Sequence, residues 1–500
     1  MRERAGSHLA PLLFLLSVLA TAPAAAREAA VLYRDLCAVC HGPDRLGASG
    51  PPLLPQTLGR RSEADIVRIV REGLPATRMP AFGDLLEAEE IRDLVRYLRR
   101  PPDKPPRFGM AEIAASHRRF VAEEALPDRP RFAADPLDLF LVVEKGDHHA
   151  SLLDGDRFVR LARFPTPRAL HGGPKFTRDG RFVHFASRDG WLLRYDLWGL
   201  QPVVKVRAGI ATRNIALTPD GRFLVVADTL PRAVVVLDAV DYRPVEVIPA
   251  RGADGTVSRV AAVYQAPPRG SVIVALRDVA EAWELVPAAD PARRRLRRIP
   301  LPEPLDDVLF DPAYRLLVGS SRSSRGAWVV ALGDGRVVAR LPIEGFPHLA
   351  SGVTFVRDGR RLLITPNLTR PEVTVVDMED WRVVARIPTL GPGFFARSHR
   401  SSPHVWVDVF AGPHRDAVHV IDKRTLGIVA TLRPAPGRRS AHIEFDREGR
   451  HALVSIMEED GAVVVYDDRT LVEVARIPAR HPSGKYNVGN KIRFEEGTSH

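Results

Sequence analysis

From about residue 135 onward, short apolar runs alternate with polar turns at a regular spacing. The stretches "FTRDGRFVHFASRDGWLLRYDLW" and "LTPDGRFLVVADTLPRAVVVLDAVDYRPVEVIPA" share a D-G turn, a β-rich run, a second turn and another run. The later "FVRDGRRLLITPNLTRPEVTVVDMEDWRVVARIPT" and "FDREGRHALVSIMEEDGAVVVYDDRTLVEVARIPA" repeat the theme. Asp179 and Asp220 are 41 residues apart, and Asp358 and Asp446 are 88 apart, two steps of 44. This period, with about four strands per unit, is typical of a β-propeller.

About eight such units lie between residues 137 and 480, which predicts an all-β, eight-bladed propeller over residues 137–500. Weaker copies, near "APPRGSVIVALRD" and "FDPAYRLLVGSSRSSRGAWVVALGDGRVVARLPI", fill the gaps between the clear ones. A seven-bladed ring with one irregular copy is the alternative. Propellers bind ligands at one end of their central channel, but the fold alone does not determine the chemistry.

Two other apolar patterns precede the repeats. Arg2 and Arg4, the apolar run Leu9–Leu19 and the small residues of "APAAA" at 22–26 predict a secretory signal peptide, residues 1–26. An uncleaved anchor is the alternative reading of this segment. A second pattern has helical period and charges opposite, its apolar positions being Leu86, Ile91, Leu94, Val95 and Leu98. We expect a small, all-α domain over residues 27–100, then a stiff, proline-rich linker within residues 101–136.

Composition narrows the possible partners. The apolar content of 45% and charged content of 27% are those of a soluble globular protein. The formal charge is +11, but the arginines are scattered through β-type segments, so we expect no nucleic-acid partner. No other apolar run approaches the length of a membrane span, so we expect an exported, periplasmic protein without one.

The only two cysteines, Cys37 and Cys40, stand directly before His41 in a C-x-x-C-H motif. A disulfide is the simplest alternative, but C-x-x-C-H is the attachment signature of c-type haem. Both thiols bind the porphyrin covalently, and the histidine takes one axial position on the iron. Export fits this reading, because c-type haem is attached outside the cytoplasm.

The segment "REGLPATRMPAFGDLLEAEEIRDLVRYLRR" then supplies Met79 ahead of the predicted helix. This order of haem motif, loop, Met-Pro and helix resembles a class I cytochrome c domain. The resemblance implies that His41 and Met79 are the axial ligands. A packing role for Met79 and ligation by His117 are the alternatives.

Four histidines interrupt the repeats of the predicted propeller. His171, His348 and His442 share a repeat phase, and His399 lies close to that phase. Histidines projecting from one face of a ring predict a central site, since imidazole serves as metal ligand and as general acid or base. Arg213, in a similar loop, is suited to bind carboxylates in a bidentate manner.

An exported cytochrome c domain joined to such a propeller resembles the cytochrome cd1 nitrite reductases and their relatives, which hold haem d1 on the propeller axis. The segments "ALHGGPKFTRDGRFVHFASRDGWLLRYDLW", "GFPHLASGVTFV", "FFARSHRSSPHVWVD" and "GIATRNI" are similar to the pocket segments of that family, and "HPSGKYNVGNK" to its C-terminal closure. The resemblance implies a proximal iron position for His171 and a distal one for His348. It places His399 in the distal pocket and Arg213 near the carboxylates.

The short chain, and His442 with Glu444 nearby, are closer to the dihydro-haem d1 dehydrogenases of that family. That resemblance implies a covalent haem c, a dihydro-haem d1 precursor as non-covalent substrate, and His442 as base. It also implies nitrite reductase, other d1-maturation proteins and a periplasmic electron acceptor as partners. Nitrite reduction, with His348 and His399 as proton donors, and a non-enzymatic haem d1 carrier are the alternatives.

Overall fold

The computed structural model describes residues 27–48, 50–74, 79–322 and 326–493. The predicted signal peptide, residues 1–26, and the last residues of the predicted propeller, 494–500, lie outside the described residues. Among the residues that are described, no helix is both long and apolar enough to cross a membrane.

Short helices form the N-terminal part of the chain. They span Ala29–Leu32, Tyr33–Cys37 (a π-helical turn), Ala38–His41, Pro55–Leu58, Glu63–Glu72, Ala88–Arg99 and Met110–Ala115. The apolar face that the sequence predicts for the helix Ala88–Arg99 is buried, and it packs against Leu32, Tyr33 and Ile66. Glu90 stabilises the start of this helix, because its carboxylate accepts a hydrogen bond from the Glu87 N–H at 3.0 Å.

Eight four-stranded antiparallel units follow, so the predicted eight-bladed propeller is confirmed. From the innermost strand outward, blade 1 consists of Pro482–Asn487, Leu139–Glu144, His149–Asp154 and Arg160–Pro165. Blade 2 consists of Lys175–Phe176, Phe182–Ala186, Trp191–Asp196 and Gln201–Arg207. Blade 3 consists of Ala211–Leu217, Phe223–Leu230, Ala233–Asp238 and Pro244–Pro249. Blade 4 consists of Val260–Ala266, Ser271–Leu276, Glu281–Val286 and Arg295–Pro300. Blade 5 consists of Asp307–Phe310, Leu316–Ser320, Ala327–Ala331 and Val337–Leu341. Blade 6 consists of Val353–Arg357, Arg360–Pro366, Glu372–Asp377 and Val383–Pro388. Blade 7 consists of Ala396–Ser398, His404–Asp408, Val418–Asp422 and Ile428–Leu432. Blade 8 consists of Ser440–Phe445, His451–Ile456, Ala462–Asp467 and Glu473–Pro478.

The repeated sequence pattern follows from this arrangement. Inner and middle strands are buried on both faces, as in Val260–Ala266, while outermost strands such as Val383–Pro388 alternate in exposure. The D-G turns join the innermost strand to the second strand of a blade. Gly359 of blade 6 corresponds to Gly449 of blade 8, so the counterpart of Asp358 is Glu448 and not Asp446.

The two ends of the propeller segment meet in blade 1. Its innermost strand, Pro482–Asn487, comes from the C-terminal end of the ring and pairs with Leu139–Glu144, with Phe140 opposite Asn487 and Val142 opposite Lys485. This pairing builds blade 1 from both ends of the propeller segment and thereby closes the ring. A short helix, Val488–Ile492, follows it.

The segment between the helical part and the propeller does more than connect them. Ile113, on the helix Met110–Ala115, is fully buried in the core shared by blades 2 and 3. Arg118 and Arg119 pair with Lys205 and Val204 and add a fifth strand to blade 2. The segment is therefore packed onto the propeller. The term linker fits its proline-rich start only.

Arg207, the last residue of blade 2, joins the N-terminal helical part to the propeller. Its guanidinium donates to the carbonyl oxygens of Leu46 and Gly47, in the loop after His41, the latter at 3.2 Å. Its Nε also donates to the Asp189 carbonyl oxygen at 3.0 Å, in the turn Ser187–Gly190 of its own blade. One side chain thus holds the loop behind the C-x-x-C-H motif against a propeller turn.

Gly190, in that turn, offers a test of how rigid this junction is. Its φ is +89°, and a Cβ there would lie 1.9 Å from the Gly209 carbonyl oxygen. Gly190→Ala should therefore lower the free energy of unfolding well beyond the cost of a left-handed alanine. The matched control is Gly221→Ala, with φ +74° and nothing within 4 Å of a Cβ, which should lose only about 1 to 2 kcal/mol. Urea unfolding measures both, and equal losses would contradict the close approach.

Candidate functional site

The C-x-x-C-H motif lies where the π-helical turn Tyr33–Cys37 continues into the helix Ala38–His41. Both cysteines are free thiols and half-buried, so the disulfide alternative is not formed in this structure. Cys37 borders an apolar cluster that also contains Met79 and Phe82. The Cys37 thiol therefore lies at the edge of this apolar cluster, as attachment to an apolar porphyrin requires.

The His41 ring is positioned for metal ligation through one nitrogen. Its Nδ1 lies 2.7 Å from the Pro51 carbonyl oxygen, which can only accept, so Nδ1 carries the proton and Nε2 keeps its lone pair. A Cβ at Gly50 would lie 2.9 Å from the ring, so the loop fits closely around it. Burial lowers the pKa of His41, which favours the neutral form that binds metals. These residues fit a covalently attached c-type haem.

The two predicted candidates for the sixth ligand occupy different parts of the molecule. Met79 packs against the apolar cluster of the helical domain, and Cys37 packs against the same cluster. His117 lies beyond that domain, and its Nε2 is 2.6 Å from the carbonyl oxygen of Asp241 in blade 3. This placement favours Met79 as the axial ligand.

A large cavity lies at one end of the propeller channel. Its lining includes four of the predicted site residues, His171, Arg213, His348 and His442, contributed by blades 2, 3, 6 and 8 and the loops before them. The space between protein atoms, including the open mouth, is about 1340 Å³. The part of this space comparable with known cavities is about 310 Å³, at the lower end of the range for small-molecule sites.

His171 and Arg213 contact each other on one wall of the cavity. The His171 Nδ1 is 2.7 Å from the Arg213 carbonyl oxygen, and Arg213 Nη1 lies 2.7 Å from Nε2. Nδ1 therefore donates and Nε2 accepts. Burial lowers the pKa of His171 well below its usual range, and the charges of Arg213 and Arg188 add to this effect.

His348 has the same tautomer at the start of blade 6. Its Nδ1 lies 2.5 Å from the Phe394 carbonyl oxygen, so Nε2 keeps its lone pair, 3.8 Å from Asp307 Oδ2. The ring packs edge-to-face on Phe394, with centroids 4.3 Å apart. Both histidines can thus offer Nε2 to an iron.

His442 lies on the innermost strand of blade 8, at a bulge where the strand register shifts between Ala441 and Glu444. Its φ of 56° is unusual for a non-glycine residue and turns the side chain out of the regular alternation. The ring packs against Phe395, with centroids 4.3 Å apart, and against Tyr486 at 5.6 Å. Burial lowers the pKa of His442 well below its usual value, and the charge of Lys485 lowers it further, so the ring is held neutral.

Two buried groups hold the backbone at this bulge. Asp408 accepts hydrogen bonds from the N–H groups of His442, Phe394 and Phe395, at 3.2, 2.7 and 2.9 Å. Lys485 Nζ donates to the His442 carbonyl oxygen, and to Ser455 Oγ at 2.8 Å. Burial raises the pKa of Asp408 to about 6 and lowers that of Lys485 to about 7.

The cavity is strongly cationic. Lys145, Arg188, Arg213 and Arg397 line it, whereas Asp307 is the carboxylate in the lining. Arg397 lies in the stretch "FFARSH" and Tyr486 in "HPSGKYNVGNK". The resemblance pointed to both stretches, but neither residue was predicted as a site residue. Arg188 likewise lies in the stretch "ALHGGPKFTRDGRFVHFASRDGWLLRYDLW" without having been predicted as a site residue, whereas Lys145 lies in a blade turn outside these stretches. Such a lining is suited to a ligand with several carboxylates.

His399 is not among the residues that line this cavity. It follows the innermost strand of blade 7, Ala396–Ser398, whereas His171 and His348 precede the innermost strands of their blades. Since every blade repeats one strand order, the two positions lie at opposite ends of the ring. The His399 ring instead accepts from the Ser401 N–H at 3.1 Å and lies against the turn at Gly449.

A c-type haem motif on a helical domain, joined to an eight-bladed propeller with a cationic, histidine-lined cavity, defines a haem-dependent redox protein. The chain belongs to the family of the cytochrome D1 heme domain, whose model matches residues 134–491. A second model, cytochrome C oxidase, cbb3-type, subunit III, matches residues 24–98.

Relatives cover nearly the whole chain. A dihydro-heme d1 dehydrogenase of Pseudomonas aeruginosa is 51% identical over 97% of this chain and 98% of its own length. A nitrite reductase of Stutzerimonas stutzeri is 26% identical, covering 92% of each chain. The solved structure "Dihydro-heme d1 dehydrogenase NirN in complex with DHE" matches with a TM-score of 0.91 and 50% identity, covering 93% of this chain and all of that one.

The placement of Met79 and His117 leads to a test of the axial ligand. Met79→His should lower the reduction potential of the c haem, because imidazole replaces a thioether on iron. His117→Gln should leave the potential unchanged, since this ring binds the Asp241 carbonyl oxygen. Spectroelectrochemical titration measures both, and the reverse pattern would assign the sixth position to His117.

The neutral, buried His442 should make stability depend on pH. Its folded-state pKa lies below the unfolded value, so below about pH 6.5 the unfolded chain binds a proton that the folded chain does not. The free energy of unfolding should therefore fall as pH falls, with His442 contributing up to about 1.4 kcal/mol per pH unit. His442→Gln should reduce this slope between pH 6.5 and 5 in urea unfolding of the tetrapyrrole-free protein. An unchanged slope would show that the ring is already protonated when folded.

Proposed function

We propose that this chain is a periplasmic oxidoreductase that dehydrogenates a propionate side chain of dihydro-haem d1 to an acrylate, the last step of haem d1 biosynthesis. The electrons pass to the covalently bound haem c. Identity of 51% over nearly the full length to a dihydro-heme d1 dehydrogenase supports the reaction class. The single observation that carries the mechanism is His442, a neutral imidazole buried in the wall of the cationic, histidine-lined cavity.

Binding depends on charge complementarity. Lys145, Arg188 and Arg397 extend from three different blades or their turns into the cavity and can meet the carboxylates of the substrate. A guanidinium can bind a carboxylate through two parallel hydrogen bonds, which fixes orientation as well as affinity. Arg213 can do the same from the wall next to His171.

Orientation of the macrocycle depends on two histidines, His171 and His348, whose Nε2 atoms carry the lone pair that an iron can bind. His171 takes the proximal iron position, from which the Arg213 guanidinium must move away, and His348 takes the distal side. The carbonyl oxygens of Arg213 and Phe394 hold the two Nδ1 protons and thereby keep each ring in the ligating tautomer. The substrate's side chain is thus held in one direction in the cavity.

The reaction removes two hydrogens from adjacent carbons. The –CH2–CH2– of the propionate becomes –CH=CH–, and two protons and two electrons are released. His442 accepts one proton from carbon, because burial keeps it neutral and it lines the cavity, and the second proton leaves to solvent through the open mouth. Tyr486, 5.6 Å away between ring centroids, packs against His442 and limits its movement.

Haem c, when bound at Cys37, Cys40 and His41, supplies a one-electron redox centre. Because two electrons leave the substrate, each must go on in turn to an acceptor outside the chain. That acceptor is a periplasmic one-electron carrier, and nitrite reductase and other d1-maturation proteins are the partners that receive the product. The signal peptide directs the chain to this compartment.

Two alternatives are weaker on the geometry. A nitrite reductase needs His348 and His399 together as proton donors, and His399 lies outside the cavity lining. A haem d1 carrier needs no redox partner, whereas Cys37, Cys40 and His41 provide a complete attachment site for one. The carrier reading therefore leaves the helical domain without a role.

The deciding experiment incubates the purified c-haem protein anaerobically with dihydro-haem d1 and extracts the tetrapyrrole for mass analysis. We expect a loss of two hydrogens with reduction of the c haem. His442→Gln should lower the rate by about 100-fold or more, the usual contribution of a positioned base. His399→Gln is the matched control and should retain most of the activity.

Other outcomes point elsewhere. An unchanged precursor together with nitrite turnover once haem d1 is bound would make the protein a nitrite reductase. Tight binding with neither activity would make it a carrier. Full activity of His442→Gln would remove this residue from the mechanism while leaving the reaction class intact.

A further inference from the structure

Asp408 is a fully buried aspartate behind the cavity wall. It ends the second strand of blade 7, His404–Asp408, its exposure is 0%, and it is not among the residues that line the cavity. A buried carboxylate needs hydrogen-bond donors around it, and three main-chain N–H groups supply them. Its Oδ1 accepts from Phe394 and Phe395 at 2.7 and 2.9 Å, and its Oδ2 accepts from His442 at 3.2 Å. One carboxylate therefore holds the backbone at the start of blade 7 and in blade 8.

The blade 7 side of this contact leads to His348. Phe394 donates its N–H to Asp408 and offers its carbonyl oxygen to the His348 Nδ1, 2.5 Å away. The Phe394 ring also packs edge-to-face on the imidazole, with centroids 4.3 Å apart. Gly393, the residue before, lies so close that a Cβ there would be 2.9 Å from the Asp408 carbonyl oxygen. The position of the Phe394 carbonyl group, and with it that of the His348 ring, therefore depends on Asp408.

The blade 8 side leads to His442. This residue has a left-handed backbone, and both of its peptide groups are held, since Asp408 accepts from its N–H and Lys485 Nζ donates to its carbonyl oxygen. Phe395, whose N–H also binds Asp408, packs its ring on His442 at 4.3 Å between centroids and on His348 at 6.4 Å. A left-handed residue other than glycine persists only where its surroundings hold it. The location of His442 therefore depends on the same carboxylate as that of His348.

We propose that Asp408 is a positioning residue for the reaction, because its carboxylate fixes the separation between His348, which orients the macrocycle, and His442, which takes the proton. This inference rests on the proposed function for the roles of the two histidines. Proton transfer needs the base within hydrogen-bond reach of its target. A shift of one histidine relative to the other therefore lowers the rate without weakening the binding of the substrate's carboxylates. Asp408 thereby determines which carbon of the bound macrocycle meets the base.

The test compares Asp408→Asn with Asp228→Asn in the full-length c-haem protein. An asparagine side chain has one acceptor oxygen. With that oxygen on the two phenylalanine N–H groups, its NH2 group faces the His442 N–H and repels it. Asp228, on the second strand of blade 3, is also fully buried, but its Oδ1 accepts from Thr212 Oγ1 of its own blade at 2.5 Å, and it does not line the cavity. The control therefore makes the same chemical change at a buried aspartate of another blade.

Two measurements use dihydro-haem d1 under anaerobic conditions. At saturating macrocycle, the rate of c-haem reduction should fall about tenfold or more in Asp408→Asn, because a misplacement of about 1 Å can cost about 100-fold. The dissociation constant should stay within about threefold of the parent, since Lys145, Arg188 and Arg397 are unchanged. Asp228→Asn should keep both quantities within about twofold.

A third measurement needs neither the macrocycle nor turnover. In the reduced, tetrapyrrole-free protein with isotope-labelled histidine, the His348 Nδ1 proton on the Phe394 carbonyl oxygen should give a slowly exchanging NMR signal, identified by its loss in His348→Gln. Both asparagine variants should keep this signal, because the phenylalanine contacts remain. Asp408→Ala removes all three contacts and should accelerate the exchange by about tenfold or more. Circular dichroism verifies the folding of each variant, and the comparison of the two asparagine variants stands without Asp408→Ala.

The outcomes separate this proposal from the proposed function. Equal rates for the two asparagine variants, or weaker binding by Asp408→Asn at an unchanged rate, would overturn the role of Asp408. No oxidation of the macrocycle by the parent protein would refute the proposed function, and the His348 signal would then decide whether Asp408 positions this ring. An unchanged signal in folded Asp408→Ala would overturn the link between Asp408 and His348.

Discussion

The pairing of Pro482–Asn487 with Leu139–Glu144 is the constraint on which the rest of the structure depends. It closes the ring, and the same short strand brings Lys485 and Tyr486 to the cavity. Lys485 then binds the carbonyl oxygen of His442, whose backbone adopts a left-handed conformation. The last strand, Pro482–Asn487, therefore both closes the ring and holds the proposed base His442 in position.

In the ligand-free protein, repulsion between the positive charges that line the cavity destabilises the folded state. Lys145, Arg188 and Arg397 face a space with Asp307 as the opposing carboxylate of the lining, and buried like charges oppose folding. A ligand that carries several carboxylates relieves this repulsion and stabilises the folded state by binding it alone. The same property gives selectivity, since a neutral macrocycle gains none of this energy.

The side chain of Arg207 couples the two domains through hydrogen bonds. Arg207 holds the loop behind His41 against the turn that carries Arg188, and all three of these hydrogen bonds go to carbonyl oxygens. Main-chain acceptors do not change with pH or charge state. The c-haem loop therefore keeps its place relative to the cavity while the charges around the substrate change.

The sequence by itself determined the eight blades and the c-type haem motif, and three of the four histidines it predicted for the pocket line the cavity. These follow from local rules: a repeat of 40–50 residues, a fixed attachment motif, and residues at equivalent positions of equivalent blades. Tertiary structure decided what depends on strand direction and on contacts between distant segments. His399 is adjacent in sequence to the pocket segment but emerges at the other end of its strand, and Arg397, two residues earlier, lines the cavity instead. Arg207 and Gly47 are 160 residues apart and have no shared motif, so only the docking of the domains brings them together.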